Sequence, residues 1–333
     1  MHKHSTSAVI VGPLVSSGTN GNHQTAYRWF RHISSLLKVK VINQTDINAL
    51  QAEIHASDLM IALHAKKSAM AIEQWPDNKA LIVVLTGTDL YRDIHDSSQA
   101  QRSIEKADRL IVLQGLGDRQ LPTHLREKTR VVYQSCSARK ALQKTGRHLR
   151  AVMVGHLREE KDPLTFMAAA THLKGQSILL DHIGEALDAE LGQAAQRTAA
   201  SCPAYRWLGG LDHEQTRRRI QQAHVLVHAS KMEGGAHVIM EAAQSGTPVL
   251  ASRIDGNVGM LGETYPGYFP LGDSKQLADM LLQLRHEQQT GENGLYTELC
   301  AHVAQRAELF TPENERQSLL AVIQEVLPVH EKR

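Results

Sequence analysis

Two doubly wound α/β domains in tandem are the fold class the sequence predicts, and three observations predict it. Short apolar runs alternate with stretches of helical periodicity from end to end. The alternation stops in a polar, basic stretch at 135–150 and then restarts. The chain, at 333 residues, has the length of two domains. Strand, helix, strand repeated in this way means mostly parallel sheets with helical crossovers. Ligands of such sheets bind beyond the carboxyl ends of the strands, so the expected binding site is the cleft between two tandem copies. The expected domains are 1–147 and 148–311. A last helix, 312–327, has no strand after it and is expected to pack back on the first domain.

The strand-like runs of the first half are 8–11, 39–42, 59–63, 80–85, 110–113 and 131–133. Those of the second half are 151–154, 178–180, 205–208, 225–227, 249–251 and 268–269. Between the first two, Ala26, Trp29, Phe30, Ile33 and Leu36/Leu37 recur at helical spacing and define one apolar face. Asp212 and Asp273 each stand three residues before a glutamine, the pattern of a capping box. Asp162 before Pro163 and Thr311 before Pro312 read as caps followed by proline in the first helical position.

Composition removes several function classes. Lys plus Arg is 37 and Asp plus Glu is 35, a net charge of +2, too balanced for a general nucleic-acid binder. Aromatic residues are 4%, too few for stacking platforms. The longest apolar run, 80–85, is far short of the roughly 20 residues of a membrane span. Cys136, Cys202 and Cys300 are scattered and fit neither a disulfide framework nor a zinc site. The first residues carry no signal-peptide pattern, so a cytoplasmic protein is expected.

The sharpest chemical signal is Glu233-Gly-Gly-Ala-His-Val-Ile-Met-Glu241, followed by Ser245-Gly-Thr-Pro248. Gly234 and Gly235 allow the backbone to approach a ligand, and the free amides at the start of the next helix suit anionic oxygens. Glu241 sits among Val238, Ile239, Met240, Ala242 and Ala243. A carboxylate in such company has to be paired, because burying it bare costs several kcal/mol. The vicinal hydroxyls of a ribose would pair it. The second signal is Val154-Gly-His-Leu-Arg158-Glu-Glu-Lys161-Asp-Pro163. Arg158 and Lys161 crowd the positive end of a helix dipole, an unfavourable place for cations unless an anion joins them. A diphosphate suits the pair, since Arg grips two oxygens and Lys adds a point charge.

The order of these motifs resembles the retaining glycosyltransferases of family four, over most of residues 149–310. The resemblance implies the GT-B fold. It also implies a nucleotide-sugar donor bound without metal or other cofactor. Arg158 and Lys161 would hold the donor diphosphate. Glu233, with Gly234, Gly235, Ala236, His237 and Val238, would hold the transferred sugar and the phosphates. Glu241 would bind the ribose, and Arg206-Trp207-Leu208 lies where the family contacts the base. The arginine here follows Gly155-His-Leu157 by one place instead of interrupting it.

The first half carries Ser17-Gly-Thr-Asn-Gly21-Asn22-His-Gln-Thr25-Ala-Tyr-Arg28-Trp29, Leu63-His64-Ala-Lys66-Lys67-Ser68 and Leu85-Thr86-Gly87-Thr88-Asp89-Leu-Tyr91. With Arg253-Ile-Asp-Gly-Asn-Val-Gly-Met260 and Tyr265-Pro-Gly-Tyr-Phe-Pro270, this set resembles the selenosugar synthases of selenoneine biosynthesis, over nearly the whole chain. That resemblance implies transfer of a sugar from UDP-N-acetylglucosamine or UDP-glucose to selenophosphate, giving a C–Se bond and a 1-seleno sugar. The chemistry is coherent. A glycine loop at 18–22, with Arg28, His64, Lys66 and Lys67 near it, would suit a small trianion. Gly21, Asn22, Thr25, Arg28, Lys66, Thr86, Gly87 and Thr88 are the expected acceptor-binding residues, and His64 and Asp89 the catalytic ones of this half, Asp89 as a hydrogen-bond partner or a base. Thr86 stands where many family members have histidine. An ionised selenium nucleophile needs little deprotonation.

His224 and His228 share a strand face but have no third ligand nearby, so no metal site is expected. Arg217-Arg-Arg219 reads as a solvated helix face. Other readings stay open: a family-four enzyme with a hydroxyl acceptor, a GT-B epimerase or hydrolase of the same nucleotide sugar, or a two-lobed sugar-binding protein without catalysis. A dinucleotide oxidoreductase is disfavoured, because no G-x-G-x-x-G follows the first strand.

Overall fold

The computed structural model describes residues 6–14 and 21–327. Twelve parallel strands form two sheets among these residues. The first contains β1 (Ser7–Gly12), β2 (Lys38–Asn43), β3 (Leu59–Leu63), β4 (Ala80–Leu85), β5 (Arg109–Val112) and β6 (Thr129–Val131), in the order β2-β1-β3-β4-β5-β6. The second contains β7 (Leu149–Val154), β8 (Ile178–Ile183), β9 (Tyr205–Trp207), β10 (Val225–His228), β11 (Val249–Ser252) and β12 (Tyr268–Phe269), in the order β12-β11-β10-β7-β8-β9. Helices cover both faces of a parallel sheet, so its strands are buried throughout and read as continuous apolar runs. In β3 every residue is buried. That is why the runs were legible. The strand expected at 131–133 forms instead at Thr129–Val131, where Leu110, Ile111 and Val112 pair with it.

The first compact unit is Met1–Gln134 with Pro312–Arg333, and the second is Ser135–Thr311. The boundary thus lies before the polar stretch and not after it, because that stretch is bonded to the second unit. Arg139 N donates to Gln244 O at 2.7 Å, Gln221 Nε2 to Lys140 O at 2.8 Å, and Arg217 to Ser137 Oγ at 3.0 Å. Arg217 is therefore buried, unlike the solvated face expected of the 217–219 run.

In the first unit the helix Gly21–Ile33 buries Ala26, Trp29 and Ile33 on one face of the sheet. The C-terminal helix Pro312–Val326 adds Leu319, Val322 and Ile323 to that cluster. Leu36 falls beyond the helix end and is exposed, so the helical spacing stops short of it. In the second unit, Asp212 and Asp273 accept from the amides of Gln215 and Gln276 at 2.7 and 2.8 Å, as the capping pattern predicts. No helix among the described residues is long and apolar enough to cross a membrane.

Strand order reverses direction between β1 and β3 in the first sheet and between β7 and β10 in the second. Loops that leave adjacent strands in opposite directions open a crevice at such a point. The 155–162 and 229–236 loops follow β7 and β10, and the 64–68 loop follows β3.

Candidate active site

In the second unit the two loops of the switch point meet. β7 ends at Val154, and Gly155 packs under the side chain of Lys161: a Cβ there would lie 3.3 Å from Lys161 Cγ. Gly184 (φ +154°) lies against the same peptide, so close that a Cβ would sit 2.0 Å from Gly155 O. Residues Glu159–Lys161 form one tight helical turn, and Asp162 follows in the left-handed region at φ 45°. Asp162 occupies the cap position but does not cap with its side chain. Its carboxylate accepts from Thr165 Oγ1 at 2.6 Å instead, which holds the turn against the helix that follows. Lys231 N donates to Glu160 O at 2.9 Å and ties the two loops together.

The turn delivers Lys161 Nζ to Glu233 Oε1 in a partly buried ion pair. Burial of Glu233 raises its pKa, but the Lys161 charge and His228 beside it outweigh that effect, and the carboxyl is held well below the usual range. His228 Nε2 lies 3.2 Å from the same oxygen. Gly256 seats the loop from behind, since a Cβ there would lie 2.2 Å from Glu233 O. Arg158 is less engaged. Its side chain is 48% exposed and its Nε is 3.9 Å from Glu160. The structure therefore pairs Lys161 with Glu233 and leaves Arg158 at the solvent edge.

Gly234, Gly235 and Ala236 continue the loop into the helix His237–Ala243, in which Val238 is half-buried and Glu241 is buried. Glu241 Oε1 is 2.7 Å from His213 Nε2 at the start of the helix His213–Gln222. This supplies the partner that a buried carboxylate requires. The hydrogen bond raises the His213 pKa above its ordinary value, against the effect of partial burial. His213 was not singled out from the sequence, and its place inside the Asp212 capping box was the available signal. Trp207 donates from Nε1 to Gly184 O at 2.8 Å, and Gly184 is the residue that packs on the Gly155 peptide. Arg206 turns to Asp181, which also binds Arg150.

The first unit has its own cluster at the end of β3 and β4. His64 takes the left-handed conformation at φ 74° and is buried. Lys67 N donates to His64 Nδ1 at 3.3 Å, so Nε2 carries the proton and faces Thr88 Oγ1 at 3.2 Å. Burial lowers the His64 pKa and Lys67 adds to this, outweighing Asp89 and Asp93, so the ring is neutral near pH 7. Asp89 accepts from the amides of Ala65, Thr86 and Gly87 at 3.0, 2.9 and 2.8 Å. With three amides on its two oxygens and no exposure, Asp89 acts as a staple between two loops, the hydrogen-bonding one of its two expected uses. Lys66 Nζ pairs with Asp93 at 3.1 Å and stays half exposed.

At the start of the helix Gly21–Ile33, Gly21 is exposed and Asn22 half-buried, while residues 18–20 of the glycine loop lie outside the described residues. Thr25 is buried, donating to Gly21 O at 2.8 Å and accepting from Gln134 Nε2 at 2.5 Å. Arg28 Nε bonds both oxygens of Glu315, at 2.7 and 3.0 Å. These two side chains thus have internal partners that the sequence reading did not assign. His224 is likewise consumed, accepting from Arg150 N and lying 2.9 Å from Thr145 O. Among the described residues no group of three ligands could hold a metal.

Residues 134–308, just over half of the chain, match the family of group 1 glycosyl transferases. The chain belongs to that family. It is a glycosyltransferase of the GT-B fold. Among solved structures it is similar to the sucrose-phosphate synthase of Thermosynechococcus elongatus (TM-score 0.77, 14% identity, 97% of this chain and 100% of that one). It is also similar to Anabaena HepE in complex with UDP and glucose (TM-score 0.74, 15% identity, 96% and 100%). A third is the lipopolysaccharide outer core galactosyltransferase WaaB (TM-score 0.69, 15% identity, 97% and 100%). At these identities the likeness concerns the fold. No curated protein sequence matches the chain.

Proposed function

We propose that this glycosyltransferase takes its sugar from a UDP-sugar, UDP-N-acetylglucosamine or UDP-glucose, and passes it to selenophosphate. The observation that carries the donor half is the Lys161–Glu233 pair at the carboxyl ends of β7 and β10, with Glu241 and His213 one helix away. Negative charge develops on the β-phosphate as the anomeric C–O bond breaks, and preorganised cations there lower the barrier. Lys161, with the exposed Arg158 swinging in, supplies them. Glu233 then has hydroxyls of the sugar to bind, Glu241 exchanges His213 for the ribose, and the ring of Trp207 lies toward the base. HepE, a structural neighbour, is bound to UDP and glucose, which supports a UDP donor.

The acceptor half rests on the first-unit motifs and their resemblance to selenosugar synthases. Selenium attacks the anomeric carbon, the C–Se bond forms as the C–O bond breaks, and UDP leaves with the electron pair; water then cleaves the Se–P bond of the Se-phosphoryl sugar, releasing phosphate and the 1-seleno sugar. The nucleophile is ionised, so the occupation of Asp89 by three amides is no obstacle to this chemistry. The reaction takes place in the cytoplasm without metal, membrane or nucleic acid. A hydroxyl acceptor is the second reading, and one observation favours it: Arg28 and Lys66 are already neutralised by Glu315 and Asp93. Mass spectrometry of the product from each UDP-sugar, with and without selenophosphate, separates the two. A seleno sugar formed only with selenophosphate supports the first. Its absence, together with no inhibition by phosphate or thiophosphate, makes the hydroxyl acceptor the better reading.

A further inference from the structure

One buried side chain next to the proposed donor site has no part in that reading. His228 ends β10 and is 2% exposed, and its Nε2 has no hydrogen-bond partner among the described residues. It lies 3.2 Å from Glu233 Oε1, close enough to favour that group's charged form but off the line of a well-formed hydrogen bond. The same oxygen is held by Lys161 Nζ. Buried polar atoms are nearly always satisfied, so an orphan of this kind calls for a second state in which it has a partner. The charged group it meets is Glu233 from the 229–236 loop, which in turn holds Lys161 from the 159–161 turn. β11 places Ala251 in register with His228, and the Ser252 hydroxyl donates to the His228 carbonyl.

We infer that His228 is a positioning residue that takes over Glu233 from Lys161 when the donor binds. The inference rests on the donor reading above. Without donor, Lys161 and Glu233 neutralise one another. A diphosphate competes for Lys161, and as Nζ turns to it, Glu233 is left as a buried carboxylate without its cation. A small rotation of the Glu233 side chain brings Oε1 onto the line of the His228 Nε2–H bond. The ring then donates to that oxygen, and the second oxygen of Glu233 stays free for a sugar hydroxyl. Lys161 is released at little cost because a replacement donor is already 3.2 Å away.

The test compares His228→Leu and His228→Gln with the parent, using thermal unfolding with and without UDP and steady-state kinetics in the UDP-sugar. Leucine removes an orphaned nitrogen, so the Tm without ligand is expected to stay the same or rise. The loss appears only with donor, because Glu233 then has no partner. An unsatisfied buried group of this kind corresponds to roughly a tenfold loss, or more, in kcat/KM for the donor, with the acceptor KM unchanged. The UDP-induced rise in Tm shrinks accordingly. Glutamine, which keeps an N–H donor, is expected to restore most of the loss. The inference is overturned if His228→Leu turns over like the parent, if Gln is as damaged as Leu, or if Leu lowers the ligand-free Tm as a simple packing residue would. If UDP does not raise the Tm of the parent, the donor reading itself fails and the inference falls with it.

Discussion

Replacing Glu315 with alanine should destabilise the first unit far more than an ordinary surface change. Glu315 is completely buried. Its carboxylate accepts from Arg28 Nε at 2.7 and 3.0 Å and from Trp29 Nε1 at 2.7 Å, and lies 3.2 Å from His32 Nε2. The change leaves the Arg28 guanidinium, only 13% exposed, without its counter-charge, and the Trp29 indole N–H without an acceptor. Removing one partner of a buried ion pair costs about 3–5 kcal/mol. At about 2–4 °C per kcal/mol for a unit of this size, the transition should fall by roughly 6–20 °C. Differential scanning calorimetry measures it. Glu315→Gln keeps acceptor and shape but not charge, so it should lose less. The double variant Arg28→Ala, Glu315→Ala should recover part of the loss, since it no longer buries an unpaired charge. A drop of under about 2 °C for Glu315→Ala would refute the argument, because it would mean that water reaches these groups or that the helix Pro312–Val326 is not held by them.

Four further outcomes are expected. Lys161→Ala should lower kcat by roughly a hundredfold or more, through lost stabilisation of the leaving diphosphate, and an unchanged kcat would remove Lys161 from the mechanism. Gly256→Ala should nearly abolish activity, because the new Cβ would meet Glu233 O at 2.2 Å and displace the loop; normal kinetics in this variant would show that the loop position does not matter. The Glu241 bond raises the folded-state pKa of His213 above its unfolded value. Its stabilisation is thus complete below a pH of about 6.5 and fades as the pH rises through the folded value. The stability difference between the parent and His213→Ala, followed by urea unfolding from pH 6 upward, should shrink accordingly, and a constant difference would contradict the pairing. EDTA should leave activity intact, and a loss on chelation that magnesium or manganese restores would contradict a diphosphate neutralised by side chains.

The sequence by itself determined the strands and the motifs. Continuous apolar runs such as 59–63 are what a strand buried on both faces must be, and the pattern needs no knowledge of its neighbours. Caps at Asp212 and Asp273 were legible for the same reason, since each bond spans three residues. The glycines of the 233–241 string and the paired glutamates marked the family motif before any fold was known. What only the tertiary structure decided is which groups pair. Arg28 meets Glu315 across 287 positions, Lys161 meets Glu233 across 72, and Glu241 meets His213 across 28. Periodicity carries no trace of such pairs, because they depend on how strands are ordered and how a last helix returns. The left-handed backbone of His64 and Asp162 is equally a product of closure, held by surrounding contacts against the ordinary preference of the residue. Asp89 is the clearest case. Its place two residues after Gly87 was visible along the chain, but its work, binding three amides from two loops, exists only once β3 and β4 lie side by side.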